Sequence, residues 1–193
     1  MALDEVKAGL LFDKMLELKL DYWQTALEEV GDLVDVVTYA DDYGTQKSQL
    51  ISPAMFRKQL KPLVPQIFTL QKELAPQAKR FFHSDGNVRP LIPDFIEIGV
   101  DILNPIQPVV KGLEDTFALK EQFGDRICFH GGIDVQQVLP TATHDEIRRE
   151  VDYSIETLGR GGGYIFCAAH NIQPDVPLEN VLAVYETVAR RRA

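Results

Sequence analysis

The feature that most restricts the fold of this chain is a regular alternation. Short apolar runs rich in β-branched residues are each followed by polar or glycine-rich sequence, and then by a segment with helical spacing. Strands that are apolar throughout are covered on both faces, which is the situation of a parallel sheet dressed with helices. Residues 7–30 place Leu11, Met15, Leu18, Tyr22 and Leu27 at helical spacings and stop at Gly31. The run 33–39 (LVDVVTY) then reads as a strand, and Asp41-Asp42-Tyr43-Gly44 as the turn after it. Ser52 and Pro53 form an N-cap and a first helical residue, predicting a helix over 53–73 that Pro62 and Pro65 bend or break. The same alternation predicts strands at 79–83, 101–104, 127–130 and 164–168, with helices at 91–98, 115–123 and 177–190. Thr143-His144-Asp145-Glu146 predicts a capping box ahead of a helix with Ile147, Val151, Ile155 and Leu158 on one face.

Five strands are counted, whereas a closed parallel barrel needs eight and about 250 residues. The 193 residues suit one domain. The expectation is therefore an α/β chain, either an open sheet or part of a barrel. A net charge of −9 argues against a nucleic-acid surface. The basic run from Arg190 to Arg192 complements the negative end of the last helix. No stretch approaches the roughly 20 apolar residues of a membrane span. The opening MALDEVKAGLLF lacks a secretory pattern, and both cysteines, Cys128 and Cys167, fall in apolar runs. These features point to a cytoplasmic protein with reduced, buried thiols.

In helix-covered parallel folds the chemistry lies at the C-terminal ends of the strands. Here those ends carry Asp41 and Asp42, His83 and Asp85, Asn104 and Gln107, His130 and Asp134, and His170 with Asn171. Asp41 and Asp42 are neighbours, so only one should face the mouth, as acid, base or metal partner; the other reading is a turn cap. His83 and Asp85 are two apart, so both side chains can point the same way. Cys167 reads as a ligand, a nucleophile, or a small buried hydrophobe. The glycines 161–163 precede a strand and lack a phosphate-binding pattern.

Five segments in order resemble the uroporphyrinogen decarboxylase superfamily, which includes tetrapyrrole decarboxylases and corrinoid-linked methyltransferases. They are DDYGTQ (41–46) followed by Ser52-Pro53, HSDGN (83–87), GVDILNPIQ (99–107), FGDRICFHGGID (123–134) and GGYIFCAAHNIQPDVPLEN (162–180). The resemblance implies a (β/α)8 TIM barrel of which this chain is the C-terminal part, 1–193 as one domain, starting in the helix before the fourth strand. It implies that three strands are absent, with the arginine-bearing segment that holds substrate carboxylates in the decarboxylases. Two unpaired strand edges then invite a homodimer or pairing with the missing N-terminal segment.

By resemblance, a tetrapyrrole decarboxylase would use no cofactor and would have His170 in the substrate cleft; Asp41 or Asp42 is the candidate catalytic carboxylate from its place at a strand end. From their positions at or after strand ends, Asn104, Gln107, His130, Asp134 and Asn171 are the candidates to line the substrate pocket. In the methyltransferase branch a His-x-Cys pair and a later Cys hold zinc; the corresponding set here is His83, Asp85 and His170. Zinc accepts histidine nitrogen and carboxylate oxygen as well as sulfur. That branch implies a methyl-donor small molecule and a corrinoid protein as partners. The remaining alternative is an inactive remnant or a binding module.

Overall fold

A computed structural model describes residues 1–191; Arg192, the end of the basic run, lies outside them. The expected alternation is present. Helix α1 (Glu5–Val30) starts at Asp4, whose carboxylate accepts the Lys7 N–H at 2.9 Å. One 3-10 turn follows, and strand β1 (Val36–Ala40) begins three residues later than the apolar run does. The helix expected over 53–73 is two helices, α2 (Pro53–Gln59) and α3 (Val64–Leu74). Pro62 disfavours helical backbone before it, whereas Pro65 sits in the first turn of α3, where no N–H is needed.

Next come β2 (Lys79–His83), α4 (Ile92–Glu97) and β3 (Ile102–Ile106). β3 continues through Pro105, beyond its expected end at 104. Proline gives no N–H to the ladder, and the β3–β4 register shifts between Leu103 and Ile106. Helix α5 (Thr116–Phe123) is capped by Asp115. β4 (Cys128–Ile133) also runs longer than expected, through Gly131 and Gly132. Gly132 has φ of 101°, and a Cβ there would overlap the Tyr164 and Ser154 hydroxyls. The short α6 (Val138–Thr141) precedes α7 (His144–Leu158), whose capping box at Thr143 and Glu146 is formed. Strand β5 (Tyr164–Ala168) and helix α8 (Leu178–Arg191) complete the described chain.

The five strands are all parallel and lie in the order β1-β2-β3-β4-β5. Sequential parallel strands joined by helices are part of a β/α barrel. The pleat gives the sheet two unlike faces. Val37, Tyr39, Phe82, Leu103 and Phe129 are buried on one face, under the helices. The other face carries Val36, Thr38 and Ala40 on β1 and Ile165 on β5, with Val36 45% and Ile165 41% exposed. In a closed barrel that second face is the interior. No helix among the described residues is long and apolar enough to cross a membrane.

The main core is centred on Phe82, which is fully buried. Its ring lies 4.8 Å from Phe95, 5.6 Å from Tyr39, 6.1 Å from Tyr43 and 6.4 Å from Phe68. One strand residue thus binds the turn after β1 to α3 and α4. Asp94 on α4 adds a polar clamp: its carboxylate accepts from Arg57 at 2.9–3.1 Å and from Lys61 at 2.8 Å. Burial opposes the charge on Asp94, but the hydrogen bonds from Arg57 and Lys61 prevail and hold its carboxyl below the usual value.

Two outcomes follow. Phe82→Ala should destabilise by about 3–5 kcal/mol in urea unfolding, the cost of removing a buried aromatic ring. Asp94 has a depressed folded pKa, so its contribution is present above the unfolded aspartate pKa and is lost as pH falls through the folded one. Asp94→Asn should therefore lower the urea midpoint at neutral pH, and the gap from the parent chain should close in acid.

Candidate functional site

The site is built on the loop that follows β2. The His83 carbonyl accepts the Asp41 N–H at 3.1 Å, and the Ser84 N–H donates to the Asn104 carbonyl at 2.8 Å, so the ladder carries on past the strands. Ser84 is fully buried and its hydroxyl accepts the Tyr43 N–H at 2.9 Å. The Asp85 N–H donates to Asp42 Oδ1 and the Gly86 N–H to Gln107 Oε1, each at 2.9 Å. Gly44 packs against this loop so closely that a Cβ on it would come within 2.6 Å of Asp85 O and Asn87 N. Residues 83–87 are thereby fixed to the ends of both neighbouring strands.

This arrangement gathers several of the residues singled out from the sequence. His83 Nε2 lies 3.7 Å from Asp85 Oδ2 and 3.9 Å from Asp42 Oδ1. His170, beyond the end of β5, places Nε2 3.6 Å from Asp85 Oδ2. One ligand-capable atom from each of Asp42, His83 and Asp85 lies within 4.8 Å of the other two. The His83 and His170 rings stand further apart, at 6.4 Å between centroids. Asp85 Oδ1 is buried and has no hydrogen-bond partner among the described residues. An unsatisfied buried carboxylate oxygen is costly unless something binds it.

The two neighbouring aspartates part company, as the pleat requires. Asp42 turns to His83, whereas Asp41 turns to the helix layer. There Asp41 Oδ2 accepts from Lys19 Nζ at 2.9 Å and from the Tyr39 hydroxyl, which Lys19 also contacts at 2.7 Å. Burial, reinforced by the Asp41 charge, pushes the Tyr39 phenol far up. Lys19 lies in α1, 22 residues before Asp41, and no sequence pattern joins them.

Below the cluster, the interior face of the sheet carries a second set. Asn104 Oδ1 lies 2.6 Å from His83 Nδ1, and Asn104 Nδ2 lies 2.7 Å from His130 Nδ1. Cys167 Sγ lies 3.2 Å from His130 Nδ1. Both ends of the Asn104 amide are thus occupied by histidines. Burial lowers the His130 pKa and pushes the Cys167 thiol up to about 11. Gln107 and Asp134 are engaged within the backbone: Gln107 holds Gly86, and Asp134 accepts the N–H groups of Gln136, Gln137 and Val138. Asn171 is exposed, and its carbonyl accepts from Gln173. The Asn104 bridge was readable only in part. The histidines of β2 and β4 are visible in the sequence, but that Asn104 of β3 comes to lie between them needs the register.

With this geometry in place, the chain can be compared with known proteins. The family described as Uroporphyrinogen decarboxylase (URO-D) matches residues 2–191. A Uroporphyrinogen decarboxylase from Thermus thermophilus is 27% identical over 183 residues, covering 92% of this chain and 47% of that protein. One from Legionella pneumophila (strain Corby) is 36% identical over 74 residues, covering 38% of this chain and 20% of that protein. The chain therefore spans less than half the length of either relative. Among solved structures, a methyltransferase from Methanosarcina mazei has the same fold, with a TM-score of 0.66 and 23% identity. The likeness covers 88% of this chain and 48% of that one.

The raised Cys167 pKa has a direct consequence. The thiolate is the nucleophile, so a thiol with its pKa near 11 stays protonated at neutral pH. In a Cys128→Ala background, alkylation of Cys167 by iodoacetamide should be slower at neutral pH than that of a free cysteine. It should keep rising with pH well past the range in which free cysteine levels off.

Proposed function

The chain belongs to the uroporphyrinogen decarboxylase family, and we propose that it carries the strand-end site of a metal-dependent methyl-transfer enzyme of that family. The observation that carries this reading is the convergence of Asp42, His83 and Asp85 on a single point, with His170 beside Asp85. The donor set is one or two imidazole nitrogens with carboxylate oxygens, which suits zinc. The unpartnered Asp85 Oδ1 fits the same reading, since a cation would satisfy it. His83 and Asp85 would hold the metal, with Asp42 or His170 as third ligand, and one position would be left for substrate.

A bound zinc would supply Lewis acidity toward the heteroatom of a small methylated substrate or methyl acceptor. The chain's own residues do the rest. The hydrogen bonds of residues 84–86 to Asn104, Asp42 and Gln107 fix the direction of the ligands. His130 and Asn104 line the interior face below them. A corrinoid protein would be the methyl-carrying partner, met at the mouth formed by the strand ends. The preceding β/α units, in the same polypeptide or another, would close the remaining wall.

The family relationship supports a second reading, decarboxylation of a tetrapyrrole without a metal. The His170–Asp85 pair, at 3.6 Å, would then serve as the proton donor. Against this stands the character of the cluster. A substrate with many carboxylates needs cations around it, and Asp42 and Asp85 bring negative charge to the mouth.

Elemental analysis and zinc titration of the purified chain separate the two. Stoichiometric zinc in the chain, lost by at least tenfold in affinity in His83→Ala and in Asp85→Ala, is the expected result. Absence of zinc binding, with turnover of a porphyrinogen in the completed barrel, would leave decarboxylation standing.

A further inference from the structure

The Asn104 amide stands between two histidines and touches both through the same ring atom. A carboxamide has one accepting end and one donating end. A neutral imidazole nitrogen is either a donor or an acceptor, never both. With Oδ1 at 2.6 Å from His83 Nδ1, that nitrogen must carry the proton. With Nδ2 at 2.7 Å from His130 Nδ1, that nitrogen must offer its lone pair. We propose that Asn104 is a positioning residue that holds His83 and His130 in opposite tautomers, leaving the His83 lone pair on Nε2, toward Asp42 and Asp85.

Three further observations bear on this. Burial lowers the His130 pKa, so its ring is kept neutral and must adopt one tautomer. Cys167 Sγ lies 3.2 Å from the same Nδ1, but its S–H has the Ala168 carbonyl as acceptor at 3.1 Å, so the thiol leaves that lone pair to Asn104. The thiol is raised to about 11, so that proton is in place at neutral pH. The Asn104 backbone is fixed as well: the residue is buried, and its main-chain carbonyl accepts the Ser84 N–H at the root of the ligand loop. Turning the amide over would exchange both ring assignments together. The two rings are opposite in either case, which is a property of the amide and not of either histidine. In the orientation present, His83 Nε2 is free for a metal, as the hydrogen bond on the far side of a ligating histidine usually arranges.

The use of this lock rests on the metal reading of the site, but its test does not. Histidine tautomers are measured by long-range 1H–15N correlation on the full chain without zinc, at a pH well above the ordinary histidine range. The parent chain should show His83 protonated at Nδ1 and His130 at Nε2. Asn104→Asp keeps the acceptor for His83 but loses the donor for His130. In that variant both rings should be protonated at Nδ1. Asn104→Leu should release both rings into mixed tautomers. Zinc affinity should stay within severalfold in Asn104→Asp and fall by about 10- to 100-fold in Asn104→Leu. If Asn104→Leu does not fold, the switch of His130 alone in Asn104→Asp still decides the matter. Like tautomers in the parent chain, or a His130 unmoved by Asn104→Asp, would overturn the proposal. Opposite tautomers in a chain that binds no zinc would support the lock and sink the metal reading instead.

Discussion

The parallel ladder is the constraint on which the rest depends. Each strand is tied to the next in register, Ala40 beside His83 and His83 beside Asn104. Because side chains alternate across a pleated sheet, this register decides which residues share a face. It places Phe82 under the helices and His83 on the opposite side. A slip of one residue in β2 would exchange the two, burying an imidazole in an aromatic cluster and exposing a phenylalanine at the mouth. The core around Phe82 therefore does more than stabilise the fold. It holds the register that presents His83 to the carboxylates.

The site is assembled in two tiers from this one arrangement. At the strand ends, the ladder continues through the Asp41 and Ser84 N–H groups, and the loop after β2 is stitched to Asp42 and Gln107. Below it, Asn104, His130 and Cys167 form a row across β3, β4 and β5. The upper tier is acidic and exposed to the mouth. The lower tier is half-buried and neutral. A cation suits the first and a fixed pattern of donors and acceptors suits the second.

Much of the fold was legible because helices and strands write different periods. The capping box at Thr143 stands where the residues place it, and the helix expected from 115 begins at Thr116, with Asp115 as its cap. The departures occur where backbone chemistry outweighs the apolar pattern. Pro62 divides the 53–73 helix into α2 and α3, a break the prolines led one to expect, whereas Pro65 is accommodated in the first turn of α3. Gly131 and Gly132, expected just beyond the strand, are instead part of β4, since residues lacking a Cβ allow Ile106 and Tyr164 to close on them. The acidic and histidine residues of the mouth were also visible, because strand ends are where helix-covered sheets place their chemistry.

By itself, then, the sequence determined the parallel, helix-covered sheet and the family, and pointed to the strand ends as the candidate site. It could narrow Asp41 and Asp42 to one residue at the mouth, but it could not say which. Only the tertiary structure decided that Asp42 joins His83 while Asp41 pairs with Lys19 from α1. Only the structure showed Asn104 held between two histidines, where the sequence suggested a substrate contact. The physical reason is the same in each case. Period and propensity are set within a few residues, whereas the partner of a side chain is set by the register between strands and by helices far away in the chain.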